Sequence, residues 1–330
     1  MAKAAGVSKM TASRVLRGEG GYSDTTKDLV MQKVDELGYL PNRLATVFAG
    51  DKTSTFVGVS IPDLGNEVFA QVLEGIDRKL GCFGHQTVLW LTQHTQEAEE
   101  EWIKTVLSWQ PAGLILTGRY HSPRASEMLK TANIPIVEIW DLNSRPLDTS
   151  VGINHFDSGF DMGRYLIGCG YTALGYVGTS HDMANAAATR LDGFTKAVEG
   201  GGGHVAKQLC LHDTANYYTG FYGSEQLLAA SKNIQCIFYQ NDAMAFGGLQ
   251  YALSKGLSVP DEIGIAGWGD LPIASVLPKR MTSMHVPHLK LGQAAAEVML
   301  ARLTGEPVEP CRDIGFHLIP GTTVRNKSGN

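Results

Sequence analysis

Residues 4–16 read Ala4-Ala5-Gly6-Val7-Ser8-Lys9-Met10-Thr11-Ala12-Ser13-Arg14-Val15-Leu16, and the reading of this stretch decides what the N-terminal part of the chain is. Ala5 is small enough for two helices to cross closely. Gly6 can take the left-handed turn between them, and Ser8 is a good N-cap for a helix over Lys9–Leu16. On that helix Val7, Ala12 and Val15 point back to pack, while Lys9, Met10, Ser13 and Arg14 point out. This is the form of a helix-turn-helix. Lys and Arg bond guanine edges, Met can press on a thymine methyl, and the hydroxyls of Thr11 and Ser13 are placed for phosphates. Spacing alone leaves open an amphipathic helical pair with no nucleic-acid role.

Working outward, Ala2–Ala5 reads as the end of an earlier helix. Gly18, Gly20 and Gly21 make a loop. Ser23 or Asp24 can cap a third helix, Thr25–Leu37, with Leu29, Val30, Val34 and Leu37 on one face, and Gly38 ends it. Residues 39–55 form a connector whose short segment after Pro41, Asn42–Ala49, is too brief to be stable alone in water. The net charge of −5 conceals an asymmetry. Residues 1–50 carry seven Lys/Arg against five Asp/Glu, and the remainder carries 21 against 28. Lys3, Lys9, Arg14 and Arg17 meet no acid before Glu19, so a locally positive face precedes an acidic body. Salt screens the distant charge within ~8 Å.

From Phe56 the texture changes. Apolar runs (Phe56–Ile61, Gln86–Leu91, Gly113–Leu116, Ile134–Ile139, Ser150–Ile153, Gly175–Val177, Cys236–Tyr239 and Ile263–Ala266) alternate with amphipathic helical stretches. Continuous apolar strands between helices predict buried parallel sheets with right-handed crossovers. The expected fold class is therefore α/β: a small all-helical headpiece, then a core of two doubly wound parallel-sheet lobes. The expected domains are 1–38, a connector at 39–55, and the core at 56–330. The first lobe takes about 56–157 plus 288–314, and the second about 158–287 plus 315–325.

Other classes find little support. No apolar run approaches the ~18 residues of a membrane span, and the N-terminus has no secretory stretch, so a cytoplasmic chain is expected. The five scattered cysteines form no CxxC pair and read as reduced thiols. The ten histidines do not cluster at ligand spacing, so neither a metal nor a cofactor is expected. There is no G-x-G-x-x-G after the first strand, no phosphate-binding G-x-x-x-x-G-K-[ST] and no framed nucleophile, so an enzyme is not expected.

The run VSKMTASRVLRG at 7–18, followed by YLPNRLA at 39–45, closely resembles the headpiece of the lac/gal repressor family. The resemblance implies that the second helix enters the major groove of operator DNA. It also implies that the segment from Tyr39 becomes a hinge helix when two subunits sit on the operator, wedging apolar side chains into the minor groove. By matching positions, Lys9, Met10 and Arg14 read bases, Thr11, Ser13 and Asn42 hold backbone, and Ala45 and Phe48 line the minor groove. Phe48 stands where the family usually has leucine. The chain also begins inside the family's first helix, with Met1 where valine is common, so a truncated start is expected.

Two further blocks resemble the same family's effector core. One is Asn241-Asp242-Ala243-Met244-Ala245-Phe246-Gly247 with Lys255 to Gly267, and the other is Arg190-Leu191-Asp192-Gly193-Phe194. Asn241 and Asp242 follow strand Cys236–Tyr239, at the carboxyl end where open α/β sheets bind ligands. Asp242 reads as a helix cap and Asn241 as a ligand contact. The resemblance implies that Arg190 reaches into the cleft, that Asp157 is a polar cleft position and that Tyr218 stacks on sugar faces. Asp63, Phe69, Arg119 and His121 face them from the first lobe, and Asp270 completes the expected effector set. Most relatives place an acid at the position of Gly269, and its loss removes a charge that would repel an acidic ligand. The stretches LSWQPAGLILTGRYHSPR and VEIWD resemble the gluconate-utilisation repressors. The resemblance thus implies a homodimeric repressor sensing a sugar acid. A neutral sugar effector, or a sugar-binding protein without DNA function, are the alternatives.

Overall fold

The computed structural model describes residues 1–39, 54–93, 95–142, 145–180 and 186–326. The chain divides into two units, Met1–Ser54 and Thr55–Asn330. The expected hinge residues Asn42, Ala45 and Phe48 lie outside the described residues.

In the first unit, α1 spans Lys9–Arg17 and α2 spans Asp24–Leu37. Both ends of each helix are chemically fixed. The hydroxyls of Ser8 and Ser23 accept from the amides of Thr11 and Thr26, and Gly18 and Gly38 close the helices at φ 70° and 57°. Residues before Gly6 form turns, closed by Ala5 N–H to the Met1 carbonyl at 3.0 Å, rather than a third helix. Ala5, Val15 and Val30 make the small core, with Val7, Tyr22 and Val34 packed on it. The expected apolar face of α2 is narrower than the sequence suggests. Leu29 and Leu37 are exposed, and Val30 is the buried residue of α2.

The second unit opens with β1 (Phe56–Ile61), α3 (Glu67–Gly81), β2 (Gln86–Leu91), α4 (Gln96–Ser108), β3 (Gly113–Thr117), α5 (Pro123–Thr131), β4 (Ile136–Asp141) and β5 (Thr149–Ile153). There follow α6 (His155–Gly168), β6 (Ala173–Thr179), α7 (Ala186–Gly200), β7 (His204–Leu211), α8 (Tyr217–Ala230), β8 (Cys236–Tyr239), α9 (Asp242–Ser254) and β9 (Gly264–Ala266). The chain ends with α10 (Pro272–Val276), β10 (Ser283–His285), α11 (His288–Thr304), β11 (Cys311–Asp313) and β12 (His317–Ile319). One parallel sheet has the order β11-β5-β4-β3-β1-β2 and a second the order β7-β6-β8-β9, while β10 and β12 form an antiparallel ribbon. Most of the apolar runs became inner strands for the reason that made them legible: helices cover both faces, so β1, β4, β5, β6 and β8 are buried throughout, while Gln86–Leu91 became an outermost strand, β2. Strand β7 escapes that reading because it is an edge strand, half exposed and mixed in character.

The turns after the strands follow one rule. Asn66, Ser122, Asn154, Asn216 and Asn241 each sit just before a helix, and each side chain accepts from an amide of that helix's first turn. Asn241, rather than the expected Asp242, is therefore the cap of α9, and it also lines a cavity at the carboxyl end of β8. Asp242 is instead the first helical residue. It is fully buried, accepting from Ser283 Oγ at 2.7 Å and from the Leu271 amide at 2.7 Å.

Candidate functional site

The carboxyl ends of both parallel sheets open onto one cavity of about 820 Å³. That lies in the upper part of the usual range for small-molecule sites, about 300–1,000 Å³. From the six-stranded sheet, Asp63, Thr92, Arg119 and Trp140 line it; from the four-stranded sheet, Thr179, Gln240 and Trp268 do, with Arg190 reaching in from α7. The placement follows from doubly wound topology, in which loops at the strands' carboxyl ends are free to vary over a rigid scaffold.

Arg190 is 4% exposed and tightly held. Its guanidinium lies 3.9 Å from the centroid of the Trp268 ring. Nη2 donates to the Gln240 carbonyl at 3.0 Å, and Nη1 lies 3.1 Å from Nδ1 of His155. The other nitrogen of His155, Nε2, is 3.1 Å from the Trp140 carbonyl, which can only accept. Nε2 therefore carries the proton and Nδ1 accepts from Arg190. Burial, and then the adjacent Arg190 charge, push the His155 pKa well below its ordinary value, so the ring is neutral. The backbone of α7 comes this close because Gly159 and Gly193 sit at its contact with α6. A Cβ at Gly159 would run into the Arg190 carbonyl.

On the opposite side Arg119 follows β3, its side chain 2% exposed. Nη1 donates to the Asp141 carbonyl at 3.1 Å. Beside it His121 lies between two glutamates, with Nδ1 2.9 Å from Glu99 Oε2 and Nε2 3.3 Å from Glu138 Oε1. Burial disfavours the charged imidazole. The carboxylates of Glu138 and Glu99 outweigh that and raise its pKa to about 9, so His121 is a cation at neutral pH.

In the first unit, α1 presents Lys9, Met10 and Arg14 to solvent, Met10 at 69% exposure, while Ala12 and Val15 are buried. Thr11 and Ser13 are half-buried at the flanks, with Thr11 Oγ1 2.9 Å from Ser8 Oγ.

Residues 1–42 match the family described as "Bacterial regulatory proteins, lacI family", and residues 164–324 match a "Periplasmic binding protein-like domain". The chain is 35% identical over 320 residues to the HTH-type transcriptional regulator GntR of Escherichia coli K12, covering 97% of this chain and 96% of that one. The chain belongs to the lacI family of bacterial regulatory proteins. It is a DNA-binding transcriptional regulator and not an enzyme. It is also 31% identical to the regulator GntR of Pseudomonas aeruginosa, over 97% of this chain and 93% of that one. A transcriptional regulator of the lacI family from Silicibacter pomeroyi superposes with a TM-score of 0.91 at 34% identity over 98% of both chains. The lac repressor dimer bound to operator shares the fold, with a TM-score of 0.83 at 22% identity.

Of the expected effector residues of this lacI-family regulator, Asp63, Phe69, Arg119, Arg190 and Asn241 line the cavity. Asp63 is engaged in its own turn, accepting from the Gly65 and Asn66 amides at 2.6 and 3.0 Å. Phe69 meets Trp140 edge-on at 5.7 Å. Asn241 donates to the Ala215 carbonyl at 3.1 Å and caps with its oxygen, so both ends of its amide are engaged. Asp157, Tyr218 and Asp270 are not among the described residues of the wall. Asp157 sits on the first turn of α6, facing Asn154 Nδ2 at 2.6 Å. Tyr218 is 74% exposed on α8. Asp270 pairs with His285 Nδ1 at 2.9 Å. Gly269 lies outside the wall as well. Its φ of 120° is one that L side chains rarely adopt, so a substitution there would be strained. Sequence reasoning missed Trp140, His155, Gln240 and Trp268. Trp140, Gln240 and Trp268 lie within two residues of the carboxyl ends of β4, β8 and β9, so reading every strand's carboxyl end as a site position would have found them.

Proposed function

We propose that this regulator is a repressor released from its operator by a sugar acid, gluconate or a close relative, bound in the cavity between the two sheets. The observation that carries the reading is a buried guanidinium on each side of one cavity, Arg119 from the first sheet and Arg190 from the second, with the Trp140 and Trp268 rings in the same wall. Aromatic faces cover the carbon chain of a polyol, Thr and Gln groups pair with hydroxyls, and a guanidinium suits a carboxylate. The similarity of residues 107–124 and 137–141 to gluconate-utilisation repressors supports the same class. On the DNA side, Lys9, Met10 and Arg14 read base edges while Thr11, Ser13 and Asn42 hold phosphates, with Ala45 and Phe48 as the minor-groove wedge. The working unit is a homodimer, supported by the apolar surface that the second unit exposes at Trp90 and Leu91 on β2 and at Tyr218 and Tyr222 on α8.

Calorimetry of the full chain against six-carbon aldonates, uronates and neutral sugars tests the effector class, and fluorescence anisotropy on operator DNA tests release. Binding of an acid with loss of operator affinity is the expected result. Binding of neutral sugars alone would overturn the acid reading and leave the regulator assignment standing.

A further inference from the structure

Arg119 and Arg190 are not equivalent. Arg190 commits Nη1 to His155, Nη2 to Gln240 and its face to Trp268. Arg119 commits Nη1 to the Asp141 carbonyl. Its Nε and Nη2, both buried, make no hydrogen bond among the described residues. Those two nitrogens form the side-on edge of the guanidinium, which matches the two oxygens of a carboxylate. The nearest protein anion to that edge is Glu138 Oε1, 3.9 Å from Nε and too far for a hydrogen bond. Buried N–H groups without partners are costly, and the residue stands in the wall of the cavity, where a ligand can supply the missing acceptors.

The two glutamates that stand near Arg119 are occupied elsewhere. Glu138 accepts from the Leu147 amide at 2.6 Å through Oε2, and its Oε1 faces His121 Nε2 at 3.3 Å. Glu99 faces His121 Nδ1 at 2.9 Å. We propose that Arg119 is the residue that distinguishes an acidic effector from a neutral one, binding the carboxylate through its Nε–Nη2 edge, and that His121 is a positioning residue that pairs with Glu99 and Glu138 and so leaves that edge without a hydrogen-bonded carboxylate. Arg119 and His121 supply two positive charges and Glu99 and Glu138 two negative ones, so this four-residue cluster is itself neutral. Without the imidazolium the other three groups would carry net negative charge and repel an incoming carboxylate. The specificity of the cavity thus resides in the first sheet, and Arg190 serves mainly to tie α7 to His155, Gln240 and Trp268.

This inference rests on the sugar-acid reading and deepens it. The test is calorimetry of the full chain with D-gluconate and with its uncharged amide, alongside operator affinity as the measure of intact folding. Arg119→Met is expected to weaken D-gluconate by at least about 50-fold and the amide by less than about 3-fold, in line with loss of a charge-assisted pair. Arg119→Lys keeps the charge and loses the fork. It is expected to cost about 10-fold on the acid, and it carries the test should the methionine variant fail to bind operator. His121→Gln is expected to reduce acid binding about 5–10-fold while leaving the amide unchanged. Equal losses on acid and amide would reduce His121 to a packing residue and overturn its role. Acid preference that survives in both Arg119 variants would overturn the anchor alone. A wild-type protein with no preference for the acid would overturn the sugar-acid reading and the anchor with it.

Discussion

Asp242→Asn offers the sharpest test of how the second unit is held. Asp242 is fully buried at the start of α9, and burial raises its pKa to about 7. Its bonds from Ser283 Oγ and the Leu271 amide only partly offset that, and the nearby Asp270 charge adds to the rise. The sign follows from proton counting. Between the unfolded value near 4 and the folded value near 7, the folded chain holds a proton that the unfolded chain has released. Stability therefore falls as pH rises through that window, by about 1.4 kcal/mol for each pH unit. Asparagine cannot ionise and removes this dependence. Between about pH 5.5 and pH 8.5 the stability of the variant relative to wild type should rise by about 2 kcal/mol, since only the part of the window below pH 7 is traversed. For a unit of this size that is roughly 3–4 °C in melting temperature. Differential scanning fluorimetry of both proteins across the pH range gives the comparison directly. The absolute offset depends on how well the amide reproduces the two hydrogen bonds, but the slope difference does not. Parallel Tm-versus-pH curves for the two proteins would refute the argument.

Arg14→Ala should weaken operator binding by about 1–3 kcal/mol and random-sequence DNA far less, as measured by anisotropy at fixed salt, because the exposed guanidinium is placed for a bidentate guanine contact; equal losses on both would assign Arg14 to phosphate. Arg190→Met strands the Gln240 carbonyl and His155 Nδ1 and removes the cation–π contact, so thermal stability should fall by about 3–5 kcal/mol, and a variant that melts with wild type would contradict the bonding seen here. His121 is protonated in the folded chain up to about pH 9, facing Glu99 on α4, Glu138 on β4 and Arg119 beside it. Its stabilising contribution is fully present below about pH 6.5 and lost as pH rises toward 9. The stability gap between wild type and His121→Gln should close over that window, and a constant gap would mean a neutral ring.

The fold was legible where burial is symmetric. Inner strands are apolar because helices cover both faces; Phe56–Ile61 and Cys236–Tyr239 were read to the residue, β4 and β6 to within two residues at each end, and of the outer strands Gln86–Leu91 was read as well. Edge strand β7 and the short β10, β11 and β12 carry no such signal, since half of each faces water or its pairing is set by distant chain. The site was legible in part. Arg119 and Arg190 were reached through motif likeness, and both line the cavity. Tyr218 and Asp157 fail for a common reason: both lie in the first turn of a helix that begins beside the cavity, and residue type cannot say toward which side a first-turn side chain points. Tyr218 turns outward to 74% exposure, while Asp157 is drawn to the capping Asn154. His155 was invisible because its importance lies in a tautomer fixed by Trp140 from another strand.

The bonds around the end of β4 show how a ligand in this cavity can be felt across the second unit. The Asp141 carbonyl holds Arg119, and the adjacent Trp140 carbonyl holds His155, which in turn holds Arg190 and, through it, the Gln240 carbonyl beyond β8. Two consecutive peptide units of one strand in the first sheet therefore set the position of a guanidinium on each side of the cavity. Trp140 itself sits at φ 91°, a conformation unusual for a bulky side chain and one that the surrounding bonds must maintain. A carboxylate paired with the Nε–Nη2 edge of Arg119, as proposed above, would act on the same strand end that anchors the neighbouring sheet. A ligand shifts an equilibrium only by its differential affinity for two states. If operator affinity and effector affinity are coupled through this strand end, each must weaken the other by the same factor. Loosening the chain at His155 should then shrink that factor without abolishing either binding event.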